Sequence, residues 1–116
     1  MSVLIVDDHP SFRASARRML EASGYSVVGE AAHGEAAIAA ARSLVPDLVL
    51  LDVQLPDLDG FEVAARIAAQ AGTAPAIVLT SSRDLSDLGD AVAASPARGF
   101  IAKSELSGKT FAELVG

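Results

Sequence analysis

Five short aliphatic runs punctuate the chain, at residues 3–6, 25–29, 48–51, 76–79 and 100–102, and an amphipathic or alanine-rich segment follows each. The first run reads as a strand. Residues 9–24 then place Phe12, Ala16, Met19 and Leu20 on one helical face, and Gly24 stops the helix. Residues 25–29 predict a second, weaker strand. Residues 34–45 bring Ala37, Ile38, Ala41, Leu44 and Val45 onto an apolar stripe that Pro46 breaks. Leu48, Val49, Leu50 and Leu51 form a continuous run, the pattern of a strand covered on both faces. Residues 60–71 predict a helix with Phe61, Ala64, Ile67 and Ala68 inward. Residues 76–79 give a fourth strand and residues 100–102 a short fifth. Residues 84–94 form a poorer helix, with Leu85, Leu88 and Val92 apolar but Gly89 in its interior, and residues 107–115 a last, short one. Strand and helix alternate five times with brief loops. That order favours the α/β class, one parallel sheet with helices on both faces and right-handed crossovers.

Composition narrows the picture. At 116 residues the chain is one domain's worth, and 51% hydrophobic with 21% charged residues are globular values. Trp is absent and aromatics make up 4%, so aliphatics and alanines must fill the core. A formal net charge of −6 argues against a nucleic-acid or anionic-membrane surface. The lack of Cys excludes disulfides, thiolate metal sites and thiol catalysis. No basic segment precedes the first apolar run, and no run approaches the ~20 residues that span a bilayer. The sequence therefore reads as a soluble, cytoplasmic protein. It contains no linker, repeat or low-complexity tract, and its last helix ends almost at the terminus. The expectation is a single stand-alone domain over residues 1–116 with no output domain.

Ligands of open α/β sheets bind beyond the carboxyl ends of the strands. Reading those ends is informative. The first strand runs into Asp7-Asp8, the third into Asp52, the fourth into Thr80-Ser81-Ser82 and the fifth into Lys103. Asp8 alone could be no more than a cap for the helix after it. Asp52 resists that reading, because "VQLPDLDG" separates it from the next helix, for which Asp59 is the better cap. His9 reads as a surface-loop residue and His33 as a cap or loop residue.

Clustered carboxylates raise each other's pKa unless a cation neutralises them. Oxygen ligands without His or Cys suit a hard ion such as Mg²⁺. A carboxylate can also attack phosphorus, and the transferring phosphoryl group then needs its oxygens balanced by metal, cation and hydrogen-bond donors. Asp52, Mg²⁺, Lys103 and Thr80 make up such a set.

The stretches "LIVDDHPSFR", "DLVLLDVQLPDLDGFEVAARI", "IVLTSS" and "GFIAKSEL" closely resemble the receiver domain of two-component response regulators, over essentially the whole chain. That resemblance implies a flavodoxin-like (βα)5 fold with strand order 2-1-3-4-5. It implies that Asp52 accepts a phosphoryl group from a sensor histidine kinase or phosphotransfer protein. Asp8, Asp52 and the backbone carbonyl of Gln54 would hold Mg²⁺ directly, and Asp7 would act largely through metal-bound water. Lys103 would pair with carboxylate or phosphoryl oxygens. Thr80 would shift onto the phosphoryl group, and Phe100, which also packs as core, would be the aromatic switch. Pro56 would shape the loop after Asp52, and Gln54 and Ser82 match positions that tune phosphate lifetime. A downstream protein target and a homodimer formed on phosphorylation come with the family, with no direct nucleic-acid or membrane binding by this chain.

"KSEL" departs from the Lys-Pro that many receivers carry, and with "HP" it resembles receivers that precede a helix-turn-helix domain. Two alternatives stand beside the switch. One is a receiver-like interaction module that does not switch. The other is a Mg²⁺-dependent phosphatase working through an aspartyl phosphate, disfavoured because Gln54 stands where such enzymes carry a second acid.

Overall fold

The computed structural model describes residues 1–70, 74–83 and 85–115, with the side chains of these apart from 85–87. Five strands, β1 (Ser2–Val6), β2 (Ser26–Ala31), β3 (Leu48–Asp52), β4 (Ala76–Ser81) and β5 (Gly99–Ala102), alternate with five helices. These are α1 (Pro10–Ala22), α2 (Gly34–Leu44), α3 (Gly60–Ala69), α4 (Leu85–Ala94) and α5 (Gly108–Val115). All strand pairings are parallel, in the order β2-β1-β3-β4-β5. The order is the one expected, and it makes the fold flavodoxin-like. The expected end of α3 at Ala71 and start of α4 at Asp84 lie outside the described residues, as does the side chain of Leu85.

Side-chain alternation along the strands splits the core into two layers. Val3, Ile5, Leu48, Leu50, Val78 and Ile101 meet Ala16 and Leu20 of α1 and Phe111 of α5. Leu4, Val6, Val49, Leu51, Ile77 and Leu79 meet Ala37 and Ala41 of α2, Val63, Ala64 and Ile67 of α3, and Leu88 of α4. Continuous burial of β3, from Leu48 through Asp52, follows from its central place between β1 and β4. β2 runs farther than expected, through Glu30 and Ala31, and omits Tyr25, whose ring packs edge-on against Phe111 at 5.2 Å. Residues 103–105 form a 3₁₀ turn that the sequence pattern does not signal.

Local chemistry accounts for some of the described helix ends and not for others. Asp59 caps α3 as expected, accepting from the N–H groups of Phe61 and Glu62, and His33 caps α2 through Ala36 N–H. The N-cap of α1 is His9, not Asp8, and the His9 side chain makes no capping bond; Pro10 fits its first turn. At the end of α2, Val45 is held in the left-handed region at φ 46°, ψ 57°. Pro46 after it disfavours the right-handed helical region for Val45.

A second device ties α2 to the rest of the molecule. The Asp57 carboxylate, in the loop after β3, accepts from Gly34 N–H at 2.6 Å and Glu35 N–H at 3.0 Å. It therefore satisfies donors at the α2 N-terminus from across the fold. The N–H groups of Glu35 and Gly34 hold the Asp57 carboxyl below the usual carboxylate range.

Two outcomes follow. Left-handed geometry costs an L side chain about 1–2 kcal/mol, which Asn largely escapes. Val45 is 60% exposed, so little packing is lost with it. Val45→Asn is therefore expected to raise unfolding free energy in urea by about 1 kcal/mol. For Asp57 the folded pKa is depressed. Its contribution is full above the unfolded value of about 3.9 and disappears as pH falls through the folded value. Asp57→Asn should be less stable than the parent at neutral pH, and the two stability curves should converge in acid below that window, as followed by thermal melts across a pH series.

Candidate functional site

Strand register assembles the site. Leu50 pairs with Ile5 and Leu51 with Val6, so Asp7 and Asp52 come next on adjacent strands, and Asp52 pairs with Thr80. Counting by twos from Ile5, Leu50 and Val78, all three polar residues share the α1/α5 side of the sheet. Lys103, two residues beyond Ile101, follows the same parity. Residues 7, 8, 52, 80 and 103 thus gather at the carboxyl edge, as their places after the strands suggested.

Burial makes their arrangement consequential. Asp7 and Thr80 are fully buried, Asp52 is 3% exposed, and the Asp8 side chain is 37% exposed. Lys103 Nζ lies 2.7 Å from Asp7 Oδ2 and 3.3 Å from Asp52 Oδ2. The first contact is an ion pair outside hydrogen-bond alignment, since Asp7 Oδ2 finds no donor among the described residues. The second is a hydrogen bond. The same ammonium sits 4.5 Å from the centre of the Phe12 ring, a cation–π contact. Helical spacing alone marks Phe12 as core; its position beneath the lysine depends on the fold.

Titration behaviour follows. Burial raises the Asp52 pKa; Gln54 N–H, donating at 3.1 Å, opposes this, the Asp7 charge adds to it and Lys103 counters it, leaving a net rise. Burial pulls Lys103 down, but its contact with Asp7 and the charge on Asp52 outweigh that, so the ammonium is held above its ordinary value. Three carboxylates against one ammonium leave a formal excess of two negative charges when all are ionised. A divalent cation matches that excess.

One ligand atom from each of Asp7, Asp8, His9 and Asp52 lies within 4.8 Å of the others. The oxygen-rich set suits a hard divalent ion. His9 is closer to the acids than its reading as a loop residue suggested, with Nδ1 3.1 Å from both Asp7 Oδ1 and Asp8 Oδ1, though its side chain is 64% exposed. Gln54 is placed beside Asp52 through its backbone N–H. Thr80 Oγ1 is buried with no hydrogen-bond partner among the described residues. A hydroxyl in that state is costly unless something fills its place. Phe100 is not part of the cluster. It pairs with Leu79, half-buried against the α2/α3/α4 layer, and lines a cavity of about 370 Å³ with Glu105, Thr110, Glu113 and Leu114.

The response regulator receiver domain family matches residues 3–114. The chain belongs to that family. Among solved structures, this receiver is similar to the signal receiver domain of a modulated diguanylate cyclase from Desulfovibrio desulfuricans. Identity is 34% and the TM-score 0.84, over 98% of this chain and 89% of that one. A LuxR-family two-component response regulator from Aurantimonas matches at 31% identity and TM-score 0.86, over 97% and 79%. The transcriptional regulatory protein PdtaR of Mycobacterium tuberculosis is 44% identical over 85 residues, 72% of this receiver and 41% of PdtaR. The receiver spans about half the length, or less, of the curated relatives it matches. Among the described residues, no helix is long and apolar enough to cross a membrane.

A close backbone approach helps to hold the loop after Asp52. Gly60 N–H donates to Val53 O at 2.8 Å, and a Cβ at Gly60 would run into the backbone of Asp52 and Val53. Gly60→Ala must therefore move the backbone at Asp52 itself. It is expected to lower stability by about 1–3 kcal/mol, measured by denaturant unfolding.

Proposed function

We propose that this receiver accepts a phosphoryl group on Asp52 and thereby changes what it binds. The observation that carries the reading is the joining of Asp7, Asp8, Asp52 and Lys103 at one edge, beside a buried Thr80 hydroxyl that lacks a partner. In the transfer, an Asp52 carboxylate oxygen bonds to phosphorus while the phosphorus–nitrogen bond of a phosphohistidine breaks. The imidazole leaves with that electron pair and the aspartyl phosphate remains.

Asp8, Asp52 and the backbone carbonyl of Gln54 are the proposed Mg²⁺ ligands, with Asp7 acting through water. Magnesium, when bound, would supply positive charge opposite the phosphoryl oxygens. Lys103 adds an ammonium already aimed at Asp52. Thr80 offers the donor, since its Oγ1 has no hydrogen-bond partner among the described residues. Donors fixed in advance around developing charge stabilise a transition state without reorganisation.

The readout would follow from Thr80. Its movement onto the phosphoryl group would unload the end of β4, and Phe100, one residue from Thr80's partner Ile101 on β5, would repack in response. Phosphorylation then biases two pre-existing states, and a partner preferring one completes the signal. A sensor histidine kinase or phosphotransfer protein is the proposed donor, and a downstream protein the proposed target. The domain is regulatory and performs chemistry only on itself.

Incubation with Mg²⁺ and acetyl phosphate should add the mass of one phosphoryl group to the intact chain. Asp52→Ala and prior chelation should each abolish the gain, read by intact-mass spectrometry. An undiminished gain in Asp52→Ala would refute Asp52 as acceptor.

A further inference from the structure

The turn joining β1 to α1 carries both Asp7 and Asp8, yet lacks the usual lock on such a turn. A helix N-cap commonly ties down the incoming chain with its side chain, and His9 makes no such bond. Other contacts hold the turn, among them the His9 ring, whose Nδ1 lies 3.1 Å from Asp7 Oδ1. Asp7 N–H donates to Ala31 O at 3.0 Å, and His9 N–H to Asp7 Oδ1 at 2.8 Å. Arg13 Nη1 donates to the Asp7 carbonyl at 2.6 Å. Asp8 has His9 as its side-chain partner, so the aim of its carboxylate rests on the backbone beneath it.

The Arg13 guanidinium is itself fixed. Its side chain is 18% exposed, and Nε donates to Glu30 Oε1 at 3.0 Å. Glu30 is gripped on its other oxygen by Arg17 Nε at 2.8 Å. One planar fork thus spans from a strand carboxylate to the acid-bearing turn, a geometry lysine cannot copy. Glu30, shared with Arg17, offsets the Arg13 charge only in part.

Resting on the proposed Mg²⁺ ligation by Asp8 and Asp52, we propose that Arg13 is a positioning residue for the metal, holding the Asp7–Asp8 turn in its ligating conformation from an anchor on Glu30. Arg17 supplies an internal control. It pairs with the same Glu30 and touches no atom of the turn among the described contacts. Electrostatics alone predicts the opposite sign, because deleting a nearby positive charge should tighten cation binding.

The test is a Mg²⁺ titration of the full ¹⁵N-labelled chain, following the amide signals of Asp8, Asp52 and Gln54. Loss of a supporting hydrogen bond behind a metal ligand weakens affinity by about 10–100-fold. Arg13→Gln should fall in that range, Arg13→Lys should be weakened in the same direction, and Arg17→Gln should match the parent. In metal-free protein, amide hydrogen exchange at Asp8 and His9 should accelerate in both Arg13 variants and not in Arg17→Gln. Arg13→Lys keeps the charge and serves if Arg13→Gln does not fold. A parent that binds Mg²⁺ and is phosphorylated on Asp52, beside Arg13 variants that titrate as it does, would overturn the positioning role alone. A parent that shows neither Mg²⁺ shifts nor phosphorylation would overturn the site reading with it.

Discussion

One ammonium group allows this sheet to end as it does. Parallel register brings Asp7 and Asp52 side by side at the edge of β1 and β3, both nearly or fully out of water. Two carboxylates so placed oppose each other's ionisation and resist burial. Lys103 reaches both from beyond β5, with its stem shielded and its head on the Phe12 ring. Each part of that arrangement demands another. The lysine must follow the last strand, α1 must bring Phe12 beneath it, and α5 must pack through Phe111 to keep that layer closed.

The two layers of the core divide the labour. Asp7, Asp52, Thr80 and Lys103 belong to the α1/α5 side, which also supplies Phe12 and Arg13. The α2/α3/α4 side contributes loop geometry instead. Gly60 brings the start of α3 against the backbone of Asp52, and Asp57 fastens the same loop to the start of α2. The segment between Asp52 and Gly60 is therefore tied down through Gly60 and through Asp57, by contacts that do not use the Asp52 carboxylate.

What the sequence discloses depends on whether a feature is local. Strand ends are legible because a continuous run such as residues 48–51 marks a central strand, and the next residue then stands at the sheet edge. The Asp59 and His33 caps are legible because each cap binds within a few residues of itself. Arg13 was invisible: its partner Glu30 lies 17 residues away and meets it only because β2 sits next to β1 and continues past its expected end. Asp57 reads as a loop acid until α2 is placed against it. Val45 gave no warning of left-handed geometry, since a residue of its shape seldom takes it, and Pro46 alone suggested a plain helix end.

A single tyrosine and no tryptophan occur in the chain, and that tyrosine leans edge-on against the buried ring of Phe111. Tyrosine emission from this protein therefore originates at one place, the seam where α5 meets the end of α1. Any event at the carboxylates that loosens this seam carries its own spectroscopic signature, without an attached dye.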